Sequence, residues 1–251
     1  LVGSEMCIRD RTLVKTATGI WTVAYNAQNQ ATAFTKDTKR IECVYDYLNR
    51  RVEKTVYDGN TLVSRKRFIY VGYLQVAELD ATNETETASP ILRKTYLWDP
   101  MESVATRILA MSVFDEAGVY QEDLYYTHDL LKNTTALFGI QGGRRALYEY
   151  SPYGDIIKME GNAAEINPFR FSSEYLDDDL GLVYYNYRYY NVLDGRWINR
   201  DPMAENAGFN LYCFVSNKLS IDYLGLIELD NVLKQLKERL EKKARAEAQQ
   251  R

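Results

Sequence analysis

Few residues of this sequence have a type and spacing that could support catalysis or metal binding. His128 is the only histidine, so a catalytic imidazole or a histidine ligand would have to be this residue. Cys7, Cys43 and Cys213 are odd in number and widely spaced, which argues against a disulfide framework and against a Cys-x-x-Cys zinc site. The sequence therefore predicts no cofactor, and a metal site would have to be rich in carboxylates.

Three local patterns could act as sites but are more typical of structure. His128 lies in the segment 125–129 (YYTHD), which is typical of a strand end that enters a turn, and a histidine alone defines no role. The acidic run 177–179 could bind a cation, but it is more typical of a solvated hairpin loop. The tyrosines of the segment 184–190 could stack on sugars, but their alternation predicts one packed face and one exposed face.

Tyrosine is the most distinctive feature of the composition. The sequence has 21 Tyr against 8 Phe and 3 Trp, and Tyr favours half-buried strands in which the ring packs and the hydroxyl reaches water. The net charge of −4 argues against a nucleic-acid binder, which needs a basic surface. A hydrophobic content of 46% excludes wholesale disorder, and no apolar stretch is long enough to predict a membrane span.

Strand-like segments separated by turns recur through the body of the chain. Each contains a marker tyrosine, and these recur every 20 to 30 residues, at Tyr25, Tyr45, Tyr70, Tyr96, Tyr126 and Tyr148. Asp, Asn or Gly shortly after the tyrosine favours a turn. Because one hairpin cannot bury its own aromatic face, this repeat predicts an all-β fold of stacked antiparallel hairpins that form a curved sheet.

The two ends of the sequence differ from this body. Residues 1–11 (LVGSEMCIRDR) look like a translated sequencing adapter, so we expect them to be non-native and the natural protein to extend further upstream. Residues 227–251 place apolar side chains at helical spacing among good helix formers, which predicts a short C-terminal α-helix. This helix could dock on the body, or it could serve as a linker or partner helix.

Several motifs resemble the Rhs family of polymorphic toxins, whose Tyr-Asp (YD) repeats have this strand-and-turn form. The stretch from Trp21 to Asp155 resembles the YD repeats. The stretch from Asn167 to Leu226 is similar to the Rhs repeat-associated core domain, through NPFRFSSEY (167–175), GLVYYNYRYY (181–190), GRWINRDP (195–202), NLY (210–212) and IDYLGL (221–226). The resemblance predicts YD hairpins over 12–155, a core domain over 156–226 and a helical tail over 227–251.

The resemblance implies part of a hollow β-shell that encloses or presents a C-terminal effector, with the core domain closing one end. It implies a bacterial protein that is secreted or associated with the cell envelope, with its own effector segment or an immunity protein as partner. Family members release the effector with a single-turnover aspartyl autoprotease that cuts after a Gly-Leu pair. By that pattern the cut falls between Leu226 and Ile227, and Arg200, Asp201 and Asp222 match the catalytic motif.

The sequence departs from the family pattern near this motif. Tyr223 stands where Pro is common, residues 217–219 (NKL) replace Asn-Asn-Pro, and residues 203–204 (MA) replace x-Gly after Asp-Pro. No acidic residue lies between Glu205 and Asp222, so the second carboxylate of an aspartyl protease would be one of these two. Two close carboxylates share a proton, and one of them can then activate water.

Structural interpretations of the same residues remain open. Asp201-Pro202 could open a turn with Arg200 as its ion-pair partner, and Asp222 could cap a turn through its side chain. Two other functions also remain open. The chain could be a cell-surface adhesion or carbohydrate-binding module with exposed tyrosines, or an inactive remnant.

Overall fold

A long antiparallel sheet accounts for the first two thirds of the chain. The structure, a computed structural model, describes residues 11–85, 87–101, 107–202 and 210–214. In these residues each of thirteen strands pairs with its neighbours in sequence, which confirms the predicted stack of hairpins. The strands are β1 (Leu13–Thr16), β2 (Gly19–Tyr25), β3 (Ala31–Lys36), β4 (Lys39–Tyr45), β5 (Arg51–Asp58), β6 (Thr61–Val71), β7 (Leu74–Asp80), β8 (Ile91–Trp98), β9 (Ile108–Phe114), β10 (Tyr120–His128), β11 (Thr134–Gly139), β12 (Arg144–Tyr150) and β13 (Ile156–Glu160).

One face of the large sheet is apolar and buried. In β2, Trp21 and Val23 are buried while Ile20 and Thr22 face outward, because successive side chains of a strand point to opposite faces. The same alternation in β4 buries Ile41 and Cys43, and the buried side chains of successive strands form one continuous cluster. Such a face needs a second layer to cover it.

A four-stranded antiparallel sheet provides that layer. Its strands are β14 (Tyr175–Asp177), β15 (Leu182–Tyr185), β16 (Arg188–Asn191) and β17 (Arg196–Trp197), and a short 3₁₀ helix (Phe171–Ser173) precedes them. We call residues 167–201 the plug. Rings of the plug and of the large sheet meet edge to face, with centroids 5.3 Å apart for Phe34 and Tyr189 and 5.6 Å apart for Phe68 and Tyr175.

The large sheet curls so that both of its ends contact the plug. Near β1, Asn191 Nδ2 donates to the carbonyl of Lys15 at 2.8 Å. Beyond β12, the ring of Phe171 packs tightly against Gly154. A cavity of about 240 Å³ lies between these ends, lined by residues from both of them and from the plug. β1 and β13 form the two edges of the sheet as described, and the C-terminal helix predicted over 227–251 lies outside the described residues.

The aspartate of the YD motif closes the hairpin turn through its side chain. Asp46 Oδ1 accepts the backbone N–H groups of Leu48 (2.9 Å) and Arg50 (3.0 Å), while Asn49 adopts a φ of +65°. This is a tight turn followed by a left-handed bulge residue, a geometry that Asn or Gly favours. Asp115 and Asp129 accept two backbone N–H groups in the same way.

The tyrosine of the motif links neighbouring strands. The hydroxyls of Tyr45, Tyr70 and Tyr150 donate to backbone carbonyls at the start of the preceding strand, those of Ala31 (2.7 Å), Arg51 (3.0 Å) and Thr134 (2.7 Å) respectively. The expectation that these hydroxyls reach water is therefore wrong for these three residues, because the stacked strands bring a carbonyl within reach. In the later repeats the marker tyrosines do not end their strands. The strands β8, β10 and β12 end two positions after Tyr96, Tyr126 and Tyr148, at Trp98, His128 and Tyr150.

The turn chemistry predicts a measurable cost of losing the aspartate. We expect Asp46→Ala to lower the free energy of unfolding by about 1–2 kcal/mol, because two backbone N–H groups and the partly buried Arg50 guanidinium (2.6 Å) lose their acceptor. Asp46→Asn keeps the accepting oxygen and is the matched control, expected to recover most of the loss. Urea denaturation measures both, and an equal loss for Ala and Asn would show that the charge, and not the turn hydrogen bonds, stabilises the hairpin.

Candidate functional site

Asp201 lies at the end of the plug and is paired with an arginine that the sequence motif did not indicate. Arg188 Nη1 of β16 lies 2.8 Å from Asp201 Oδ2, with both side chains buried (2% and 7% exposed). At Nη1 this contact is an ion pair without the geometry of a hydrogen bond. The Arg188 guanidinium also lies over the Trp197 ring, 4.1 Å from its centroid.

The turn between β2 and β3 holds the backbone next to Asp201. Asn29 Nδ2 donates to the Arg200 carbonyl at 3.1 Å, and Asn199 Nδ2 donates to the Asn29 carbonyl at 3.0 Å. The Asp201 N–H donates to the Leu211 carbonyl at 3.1 Å. Residues 199–201 are therefore held by Asn29 of the large sheet and by the backbone carbonyl of Leu211.

The structure brings together only part of the predicted catalytic set. Arg200 and Asp201 are adjacent in the sequence, and Arg188 is an ion-pair partner of the Asp201 carboxylate. Asp222, Glu205, Leu226 and Ile227 lie outside the described residues. The sequence motif did not identify Arg188 as a partner of Asp201. A signal was present, however: Arg188 lies within a strand of aromatic residues, and a charge that packs in a core needs a partner.

A buried ionic cluster joins the plug to the large sheet. Arg51 of β5 contacts one oxygen of Asp177 at 2.6 Å, and Lys54 contacts the other oxygen of Asp177 as well as Asp179, the latter at 2.7 Å. Burial alone would raise the pKa of Asp177, but Lys54 and Arg51 lower it to about 2. The interpretation of residues 177–179 as a solvated loop is therefore wrong for Asp177, which the two cations of the sheet draw into the interface.

Aromatic rings surround the guanidinium of Arg51. Its carbon lies 4.5–5.8 Å from four ring centroids, those of Phe68, Tyr175, Tyr184 and Tyr189. Arg51 Nη1 also donates to the Tyr189 hydroxyl at 3.1 Å, and the Arg51 backbone N–H donates to the Tyr184 hydroxyl at 2.8 Å. A planar cation with several donors suits such a site better than lysine would.

A second buried carboxylate lies beside this cluster. Glu78 of β7 contacts Lys66 (3.0 Å) and Lys94 (3.7 Å) and accepts a hydrogen bond from the Tyr175 hydroxyl (3.2 Å). Burial would raise the pKa of Glu78, but Lys94 and Lys66 lower it to about 2. The interface between plug and sheet is thus charged as well as aromatic, and its charges are paired.

The tyrosine run of the plug is buried on both faces. Tyr184 and Tyr189 pack on the large sheet, while Tyr185 and Tyr190 pack with Trp197 and other plug residues in a second cluster. The prediction of one exposed face is wrong for these four residues, because the plug is covered on both sides. These four rings are not available to stack on a sugar.

His128 and the described cysteines occupy structural positions. His128 ends β10, as predicted, and its ring stacks on Tyr126 at 6.1 Å. Burial and the nearby Arg107 lower the pKa of His128 to about 4, so the ring is neutral at neutral pH. Cys43 is buried, and Cys213 is exposed. Within the described ranges, no group of three or more His, Cys, Asp or Glu is placed to hold a metal ion.

Comparisons with known proteins match this chain to toxins. No family model matches it. It is 28% identical over 218 residues to double-stranded DNA deaminase toxin A of Burkholderia cenocepacia, covering 80% of this chain and 15% of that protein. It is 40% identical over 62 residues to the toxin protein Tse5 of Pseudomonas aeruginosa, covering 24% of this chain and 5% of that protein. A crystal structure of TcdB2-TccC3-Cdc42 matches 82% of this chain and 10% of its own, at 22% identity and a TM-score of 0.64.

These matches and the fold define the class: an antiparallel hairpin sheet that curls around a plug of its own chain. The chain is similar to Rhs-type toxins, in agreement with the resemblance that the sequence motifs indicated. It spans 15% of the length of the first of these two relatives and 5% of the second.

Proposed function

We propose that this chain is the closing segment of a β-shell that encloses and presents a C-terminal effector. The observation that carries the proposal is the plug, which covers the inner face of the curled sheet through the aromatic contacts and the Arg51–Asp177 pair. Separating plug from sheet would leave buried charges unpaired, so the two layers hold together as a unit. The matched relatives named as toxins support an effector as the cargo.

The same proposal places the full-length protein outside the cell or at its envelope, as toxin delivery requires. Its partners would be its own effector segment or an immunity protein. No helix in the described part of the chain is long and apolar enough to cross a membrane.

We further propose that the plug cuts its own chain once, between Leu226 and Ile227. Asp201 acts as the carboxylate that removes a proton from water, and Asp222 or Glu205 is the protonated partner. Water attacks the Leu226 carbonyl carbon, the protonated carboxyl passes its proton to the nitrogen of Ile227, and the C–N bond breaks to leave a carboxylate and an amine. Arg200 would stabilise the charge that develops on the carbonyl oxygen. What supports this role for Asp201 is its position 2.8 Å from the Arg188 guanidinium, since a neighbouring cation stabilises a carboxylate.

Self-cleavage predicts a defined change of mass. We expect the wild-type protein to yield a fragment that begins at Ile227, and Asp201→Asn to slow its appearance by about 100-fold or more, because the variant lacks the proton acceptor. Intact-mass spectrometry over time measures both. Asp155→Asn is the matched control, since Asp155 lies in a turn of the large sheet, and it should cleave like the wild type. A wild-type mass that never changes, or an Asp201→Asn variant that cleaves at the wild-type rate, would contradict the proposal.

A further inference from the structure

We propose that Tyr73 and Tyr187 form an oxidative modification site, at which a carbon–carbon bond between their rings ties the plug covalently to the large sheet. We call these two residues the turn pair. Tyr73 lies in the turn between β6 and β7, and Tyr187 lies in the turn between β15 and β16. The inference goes beyond the proposed self-cleavage, since it concerns how the plug is kept on the sheet.

The hydroxyl groups of the turn pair meet across the interface. Their oxygens lie 2.5 Å apart, a short O–H···O hydrogen bond, and the ring centroids lie 5.7 Å apart with the planes tilted by 39°. The ortho carbons of a tyrosine are bonded to the carbon that carries the hydroxyl, so rings that meet through their hydroxyls also bring ortho carbons close together. Burial and the hydrogen bond with Tyr73 raise the pKa of Tyr187 to about 12, so the Tyr187 hydroxyl keeps its proton at neutral pH.

Hydrogen bonds hold both turns in place. Asn186 Nδ2 donates to the Tyr73 carbonyl at 3.4 Å, and the Tyr184 hydroxyl donates to the Asn186 carbonyl at 3.0 Å. From the neighbouring turn of the large sheet, Arg50 Nη1 donates to the Gly72 carbonyl. The two rings are therefore in contact before any oxidation, and coupling requires no search for a partner.

The turn pair is also within reach of an oxidant in solution, because both of its residues are half-buried. Two other close tyrosine pairs each lack one of these conditions. The rings of Tyr184 and Tyr189 lie 5.1 Å apart, but both are buried. The rings of Tyr148 and Tyr150 stack at 6.4 Å, but their hydroxyls donate to two different backbone carbonyls. Contact and access together favour the turn pair.

The oxidant of this reaction is a peroxide used by a haem peroxidase, which removes one electron at a time. Each phenol of the turn pair loses one electron and its hydroxyl proton and becomes a phenoxyl radical, with spin density at the ortho carbons. The two radicals combine in a bond between ortho carbons, and the hydrogens on those carbons then move to the oxygens and restore both hydroxyls. One hydrogen peroxide takes up the two electrons and two protons and is reduced to two waters.

The new bond joins positions 114 residues apart in the sequence. A cross-link over such a span lowers the conformational entropy of the unfolded chain, so the oxidised protein should unfold at a higher temperature. It also prevents the plug from leaving the sheet. Covalent cross-links of this kind suit oxidising surroundings, and the proposed function places the full-length protein in such surroundings.

Limited oxidation of the full chain tests the assignment. The dilute protein is treated with a haem peroxidase and one equivalent of hydrogen peroxide, and the monomer is then isolated. We expect a monomer lighter by two hydrogen atoms, with dityrosine fluorescence and a higher thermal midpoint, and tandem mass spectrometry of its digest should place the bond between Tyr73 and Tyr187. Tyr73→Phe and Tyr187→Phe should each lower the yield of intramolecular cross-link by about tenfold or more, because phenylalanine keeps the ring but has no hydroxyl to oxidise.

Two controls make the result specific. Tyr125→Phe removes an exposed tyrosine of the large sheet and should leave the yield and the rise in thermal midpoint unchanged. Wild-type protein oxidised in urea should lose the preference for the turn pair, since the contact depends on the fold. A cross-link that persists in Tyr73→Phe and Tyr187→Phe, wild-type products that join other tyrosines or only separate molecules, or an equal yield of the 73–187 bond in unfolded protein would each overturn the proposal.

Discussion

Arg51→Met is expected to lower the free energy of unfolding by about 3–5 kcal/mol, the cost of breaking a buried ion pair by removing one partner. Asp177 would retain only Lys54 in a site closed to water, and the four rings around the guanidinium would lose their cation. Methionine fills a similar volume, so the loss reports charge and hydrogen bonding more than a cavity. Urea denaturation followed by circular dichroism measures it.

The matched control for this result is an exposed pair on the same sheet. Arg40 and Glu42 lie 3.1 Å apart with both side chains more than 40% exposed, so Arg40→Met should change stability by less than about 0.5 kcal/mol. In a double-mutant cycle, Arg51→Met and Asp177→Asn should cost less together than the sum of the two, because they share one interaction. A loss below about 1 kcal/mol for Arg51→Met would show that the cluster is not needed to seat the plug.

Acid gives a further check on the same cluster. The pKa of Asp177 is lowered to about 2 in the folded protein, whereas an unfolded aspartate titrates near 4. The stabilisation that this carboxylate contributes is therefore complete above the unfolded value and is lost as the pH falls toward 2. In Arg51→Met the pKa of Asp177 in the folded protein should move up toward the unfolded value, so this acid-dependent loss should be smaller and should be complete at a higher pH.

Gly161→Ala is the second change with a large expected effect. Gly161 joins β13 to the chain that leads into the plug, with a φ of +102°, and a Cβ there would lie 2.1 Å from the Arg145 carbonyl oxygen. Because that neighbour is backbone, it cannot move aside as a flexible side chain would. The backbone strain and the clash together should cost more than about 3 kcal/mol.

Gly142→Ala separates these two contributions. Gly142 also has a positive φ (+79°), but nothing lies within 4 Å of a Cβ built there. Its substitution should cost about 1–2 kcal/mol, the price of left-handed backbone for a residue with a side chain. Thermal or urea unfolding of both variants gives the difference. Equal losses would show that backbone strain alone accounts for Gly161.

The sequence by itself determined the hairpin stack, its turns and, in strands such as β2, the face that is buried. Alternation of period two identifies Trp21 and Val23 as inward residues, and the side-chain chemistry of Asp46 closes its turn within four residues. These features are local, since each depends on residues close together in the chain. For that reason the hairpin stack and the motif resemblance could be predicted.

Only the tertiary structure decided which distant residues meet across the buried interface. Arg51 and Asp177 are 126 positions apart, and neither the polarity of Arg51 nor the acidic run around Asp177 indicates that the other is its partner. The pairing of Arg188 with Asp201 and the burial of both faces of the tyrosine run have the same origin. A strand pattern tells which side chains share a face, but what covers that face depends on how the large sheet curls and where the plug settles on it.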